Sequence, residues 1–167
     1  MPDINADWEK RIAHLWSTMD DYGAQDFVAR IDALVSELPS GSAIGLFEQG
    51  AAQDSTGHPD RAVGLYRAAL ADGLTGLRLR RANIQLASSL RNMGQATEAV
   101  SLLATELART SDDLDGAVRA FLALALVDVG REREAVAVSL AALSRYLPRY
   151  NQSLARYAQG LVDDQSA

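Results

Sequence analysis

The sequence predicts an all-α fold, a right-handed α-solenoid in which about nine helices stack as antiparallel hairpins. The main observation is a glycine followed five residues later by Ala-Val, a pattern that occurs three times. Its copies begin at Gly57, Gly94 and Gly130, so they are spaced by 37 and then 36 residues. A fixed period in the thirties is typical of helical-hairpin repeats. One hairpin of this size cannot bury its own apolar faces, so neighbouring hairpins must stack.

Two helical patterns precede the first repeat. Residues 6–21 and 24–38 place apolar side chains at intervals of three and four, as on one helix face, and Gly23 separates them. This pair lacks the Gly and Ala-Val pattern. Residues 1–38 are therefore predicted to be either a degenerate hairpin or an N-terminal cap.

Three repeats are predicted within residues 42–147, spanning about 42–72, 75–109 and 113–147. In the first, Gly57 suits a left-handed C-cap and Pro59 suits the first turn of the next helix. Small residues are expected where the two helices of a hairpin approach closely. The small residues at these equivalent positions are Gly50, Ala87 and Ala123. The positions expected to face the core include Leu90, Met93, Ala99, Val100, Ala135 and Val136.

Residues 148–163 predict a C-terminal capping helix that starts at Pro148. Tyr150, Leu154, Tyr157 and Leu161 form its apolar stripe and are expected to face inward, with polar residues in water. The whole chain, residues 1–167, is read as a single domain.

Composition narrows the class of function. The chain has no cysteine, which excludes disulfides and thiolate metal sites, and its net charge of −6 opposes binding to nucleic acid or anionic membranes. The apolar runs are too short to span a bilayer, and the first residues lack a signal-peptide core. We expect a cytoplasmic protein without membrane or nucleic-acid partners. The one positive segment is 78–110, with five basic and two acidic side chains.

The three hairpins resemble tetratricopeptide repeats, because each combines a small residue, a glycine at the turn and a following Ala-Val. The resemblance covers roughly residues 42–147. The segments RANIQLASSLRNMG and LPRYNQSLARYA are similar to a bacterial subgroup, tetratricopeptide repeat group 5. The period of 36–37 departs from the usual 34, and the usual tryptophan position holds Leu46, Asn83 or Arg119. The resemblance implies an α-solenoid whose first helices line a concave binding surface.

A polar stripe on the central first helix is expected to face this concave groove. Arg81, Gln85 and Ser88 lie at helical spacing opposite the packed side, and Arg91 lies beside the stripe. Arginine suits bidentate recognition of a carboxylate or phosphate. Alternatively, Arg91 pairs internally with Asp54 or Asp128, and Gln85 bonds to Glu48. The predicted groove residues are Phe47, Glu48, Asp54, Arg81, Gln85, Ser88, Arg91, Asn92, Leu124 and Asp128, with Phe47 and Leu124 forming apolar pockets.

The function predicted from these residues is a non-enzymatic interaction module that binds an acidic or carboxylate-bearing peptide in the groove. No catalytic motif is present, and His14 and His58 are the two histidines, so we expect no enzyme activity, metal or cofactor. One alternative is a structural protein that self-associates, for instance as a homodimer, with the groove filled by its own last helix. The other is a sensor of a small anionic ligand.

Overall fold

The computed structural model describes residues 6–109 and 111–163. Within these ranges it contains nine α-helices, one short 3-10 turn after the first helix (Met19–Asp21) and no strand. The chain divides into two compact units, residues 1–82 and 83–167. The helices are α1 (Ala6–Ser17), α2 (Ala24–Val35), α3 (Ala43–Ser55), α4 (Pro59–Ala71), α5 (Gly76–Asn92), α6 (Ala96–Arg109), α7 (Asp115–Asp128), α8 (Glu132–Ser144) and α9 (Asn151–Asp163).

In the first unit, α1 and α2 form a hairpin, α2 packs on α3, and α3 packs on α4. The indole N–H of Trp8 donates to the carbonyl of Leu34 at 2.8 Å and ties the hairpin together. The apolar spacing predicted for the first two helices is confirmed, because their stripes form one core. Its buried members are Trp8, Ile12, Leu15, Phe27, Ile31 and Ala52.

The repeated glycines end the first helix of each hairpin. Gly57, Gly94 and Gly130 adopt φ angles of 86°, 77° and 73°, a left-handed conformation that glycine adopts without a Cβ penalty. Each time, the N–H after the glycine reaches back to a carbonyl five residues earlier, as in a Schellman motif. These bonds are His58 N to Gln53 O at 2.9 Å, Gln95 N to Leu90 O at 2.8 Å and Arg131 N to Leu126 O at 2.9 Å.

In the second unit, α6 packs on α7, α7 on α8, and α8 on α9. The predicted burial of the repeated alanines is confirmed, since Ala99 is 0% and Ala135 is 4% exposed. Two other core predictions are wrong. Met93 follows the end of α5 and is exposed, and Val136 is exposed on an open face of α8.

The last helix begins later than predicted, at Asn151, and the preceding Tyr150 adopts a φ of 65°. The small Ala158 is buried and lets α9 approach α8 closely, and Arg133 Nε donates to the carbonyl of Leu161 at 2.8 Å. The bulkier Tyr150 and Tyr157 were expected to face inward, but both are exposed. No described helix is long and apolar enough to cross a membrane.

Candidate functional site

In the first unit, side chains from three helices meet around the buried ring of Tyr66 on α4. The ring centroids of Tyr66 and Phe47 are 6.2 Å apart, and the guanidinium carbon of Arg81 lies 5.2 Å from the Phe47 centroid. The Tyr66 hydroxyl donates to Asp54 Oδ2 at 3.5 Å. Burial, and then the charge of Asp54, raises the pKa of Tyr66, so its hydroxyl stays protonated and remains a donor. The structure thus brings together Phe47, Asp54 and Arg81 of the predicted set.

Arg81 is the partly buried cation of this cluster. Among the described residues, no carboxylate lies within ion-pairing distance of it, and its contact is with the face of Phe47. A guanidinium on an aromatic face is held in orientation by the cation–π attraction and by packing of its stem. Its N–H donors are therefore positioned but not neutralised.

Phe47 itself does not form the predicted apolar pocket. Its side chain projects from α3, contacts the ring of Tyr66 and is completely buried. The reason is its position on the packed side of α3, where Gly50 and Ala51 are also buried. Phe47 therefore contributes the aromatic face on which the guanidinium of Arg81 lies.

Glu48 is also placed differently from the prediction. It is 2% exposed and accepts hydrogen bonds from Arg78 Nε at 2.8 Å and from the Trp16 indole N–H at 2.7 Å. The remaining arm of Arg78 forms two bonds of 2.8 Å to the Glu9 carboxylate. Because buried charges must be paired, this network is structural, and Glu48 is not available to a ligand. No local pattern marks Arg78, since its partners are 30 and 69 residues away.

In the second unit, Arg91 is paired. Its Nε lies 2.5 Å from Asp128 Oδ2, and the two side chains are 31% and 35% exposed. This is one of the two internal pairings expected as an alternative. Gln85 and Ser88 are partly buried and Asn92 is exposed at the end of α5. The side-chain oxygen of Gln85 has no hydrogen-bond donor among the described residues.

An open apolar pocket of about 500 Å³ lies between α7 and α8. Leu124, predicted as an apolar contact, lines it together with Val127 and Val136, and the three side chains are 46–49% exposed. Sequence reasoning missed Val136, because in a complete repeat array this position is buried. The other lining residues are Ala120, Ala123, Glu132, Ala135, Ser139 and Leu140.

The family model of tetratricopeptide repeat group 5, described as "Tetratrico peptide repeat", matches residues 43–161. The chain belongs to the tetratricopeptide repeat family. The match includes α3 to α8 and most of α9, so it extends beyond the three repeats that the sequence resemblance covers. The group 5 resemblance seen in the central and last segments is confirmed.

The fold of this tetratricopeptide repeat protein is similar to a crystal structure of the nearly identical TPR-like repeats of a kinesin light chain-like protein from Podosopora anserina. The TM-score is 0.68 at 19% sequence identity, with 96% of this chain and 94% of the other covered. The all-α solenoid class is confirmed by this likeness, which shows the fold alone. A comparison with curated proteins gave no significant match.

Tetratricopeptide repeats are characteristically scaffolds for protein–protein interaction, and that is the class of function indicated for this chain. The family does not by itself say which surface is used. Among the described residues, two features suited to contact with a partner are the Arg81 cluster of the first unit and the polar and apolar surfaces of the second.

Proposed function

We propose that this tetratricopeptide repeat protein is a non-enzymatic interaction module that binds a carboxylate-bearing peptide segment, with Arg81 receiving the carboxylate. The observation that supports this most directly is the state of Arg81. It is partly buried, oriented by Phe47 and without an acidic partner among the described residues. By contrast, Arg78 and Arg91 are already neutralised by carboxylates.

The chemistry favours a carboxylate over other groups. A guanidinium presents two parallel N–H donors that match the two oxygens of a carboxylate, and bonds between charged partners are about twice as strong as neutral ones. Asp54, which accepts from the Tyr66 hydroxyl in the same cluster, has the chemistry to accept a backbone N–H of the peptide as well, because a carboxylate offers about four lone-pair sites. A peptide offers both groups, a carboxylate and an N–H, which a simple inorganic anion does not.

Considered by itself, the second unit carries a further set of proposed peptide contacts. Gln85, Ser88 and Asn92 can bond to peptide backbone, and the unpaired Gln85 oxygen supports this, because enclosed polar atoms normally have a partner. Leu124 offers an apolar contact at its exposed face. We propose that Arg91, held by Asp128, keeps one donor edge for the ligand.

The test is a library of fluorescent peptides, each prepared with a free C-terminal carboxylate and as the C-terminal amide, with and without internal acidic residues. We expect binding of carboxylate-bearing members by fluorescence polarisation and roughly 10- to 100-fold weaker binding to Arg81→Ala, as loss of a charge-assisted bond implies. Arg81→Lys should keep part of the affinity. The matched control is Arg61→Ala, which removes the same charge from an exposed position of α4.

An equal loss of peptide affinity in Arg61→Ala and Arg81→Ala would show that the effect comes from the net charge of the protein. Unchanged affinity in Arg81→Ala, with the fold intact by circular dichroism, would remove Arg81 from the binding site. Binding that is the same for amides and carboxylates would overturn the proposed ligand chemistry.

A further inference from the structure

Six of the exposed large apolar side chains of the second unit, all except Met93 and Leu143, fall into two sets of different shape. Leu124, Val127 and Val136 line the pocket between α7 and α8, which is almost free of polar groups. The described tyrosines that protrude most, Tyr146, Tyr150 and Tyr157, cluster just before and along α9, where they are 69–77% exposed. One set is a recess without an aromatic side chain, and the other is a group of projecting aromatic rings. Exposed apolar surface of this kind marks an interaction site.

Helix α9 does not fill this pocket within its own chain. It packs on α8 through Ala158 and is fixed there by the bond from Arg133 to the Leu161 carbonyl. None of the pocket-lining residues belongs to α9. Tyr157 is therefore on the exposed side of a helix that is packed on α8, and Tyr146 and Tyr150 lie in the segment just before this helix.

The charges around the two sets are complementary. Glu132 lines the pocket, is exposed and has no ion-pair partner among the described residues. Arg149 and Arg156 immediately precede Tyr150 and Tyr157, are exposed, and likewise lack a partner within the described ranges. An unpaired carboxylate thus borders the recess, and unpaired guanidinium groups accompany the rings that would enter it.

From this complementarity we infer that a second copy of the chain occupies the pocket, with α9 of each copy inserted between α7 and α8 of the other. Tyr157 enters the apolar recess, and Arg156 pairs with Glu132 of the facing copy. Because recess and helix belong to the same unit, a two-fold axis makes both contacts at once, as isologous dimers require. This dimer does not use Arg81 and does not depend on the proposed peptide site.

The test uses the full chain and measures mass by analytical ultracentrifugation over a concentration series. We expect the parent to dimerise, and Tyr157→Ala, Glu132→Arg and Arg156→Glu each to raise the dimer dissociation constant at least about ten-fold. All three positions are exposed, so the fold should be retained. The control is Asp113→Arg, which replaces an exposed acidic side chain by arginine, as Glu132→Arg does, but outside the pocket. It should dimerise like the parent.

The decisive step is to mix the two charge variants. In a two-fold dimer, one copy carrying Glu132→Arg and one carrying Arg156→Glu meet with opposite charges at both contacts, whereas each variant alone meets with like charges. Mixing should therefore restore a dimer. A parent that stays monomeric throughout the series, a dimer unaffected by all three substitutions, or variants that fail to rescue each other would each overturn the inference.

Discussion

Glu48 and Arg78 form an ion pair in the interior of the first unit, with Arg78 Nε 2.8 Å from Glu48 Oε1 and the carboxylate 2% exposed. Trp16 of α1 donates to the same carboxylate, and Glu9 of α1 binds the rest of the guanidinium. One glutamate and one arginine therefore connect α3 and α5 to the N-terminal hairpin. The contribution of this network to the free energy of unfolding can be measured by removing one partner.

Arg78→Met should destabilise the protein by about 3 kcal/mol, because Glu48 would be left as a buried carboxylate without a cation, while the apolar stem is kept. The measurement is urea unfolding followed by circular dichroism. Arg11→Met is the matched control, since Arg11 makes ion pairs with Asp7 and Glu37 that are exposed. Equal unfolding midpoints for the two variants would show that the interior pair contributes no more than a surface one.

Acid should weaken the same network. The hydrogen bonds from Arg78 hold the pKa of Glu9 below its ordinary value of 4.5. A carboxyl whose folded pKa is lowered stabilises the fold above its unfolded pKa, and this contribution is lost as the pH falls through the folded value. The parent should therefore be more stable than Glu9→Gln at neutral pH, and the difference should shrink below pH 4.5. A difference that stays constant across this range would separate Glu9 from the acid response.

A pair of glycines in the first repeat tests the close approach of α3 and α4. A Cβ on Gly50 would lie 2.9 Å from Cδ1 of the buried Tyr66, whereas a Cβ on Gly64 would meet nothing within 4 Å. Gly64→Ala should stabilise the protein by roughly 0.5–1 kcal/mol, since alanine is the better helix former. Gly50→Ala should instead lower the free energy of unfolding by about 1–3 kcal/mol, because the added methyl group overpacks the contact. Both variants are measured by thermal unfolding. A similar increase in stability for Gly50→Ala and Gly64→Ala would mean that the ring of Tyr66 moves aside freely.

The sequence predicted features that repeat and missed those that depend on distant partners. The turn glycines, Pro59 and the buried alanines Ala99 and Ala135 follow from local geometry that is the same in every hairpin. Glu48 was misassigned because its side chain is satisfied by Arg78 and Trp16, residues that no local spacing connects with it.

Val136 shows the opposite limit of the repeat pattern. The equivalent Val63 and Val100 are buried, but Val136 is exposed, because the last hairpin leaves an open pocket on this face. A repeat pattern predicts which side chains point outward from a hairpin. It does not say what covers them at the end of the array.

The remaining prediction concerns Arg91 and Asp128, whose pairing was one of the sequence-based alternatives. Both side chains are about one-third exposed, so water and salt compete with the pair, which should contribute only about 0–1 kcal/mol. Arg91→Ala, Asp128→Ala and the double variant form a thermodynamic cycle that isolates this coupling from other effects of each substitution. We expect a small coupling energy in urea unfolding, and a further decrease when salt is added. A coupling above about 2 kcal/mol would instead indicate a desolvated pair that serves as structural support, and Arg91 would then have no donor edge to spare for a peptide.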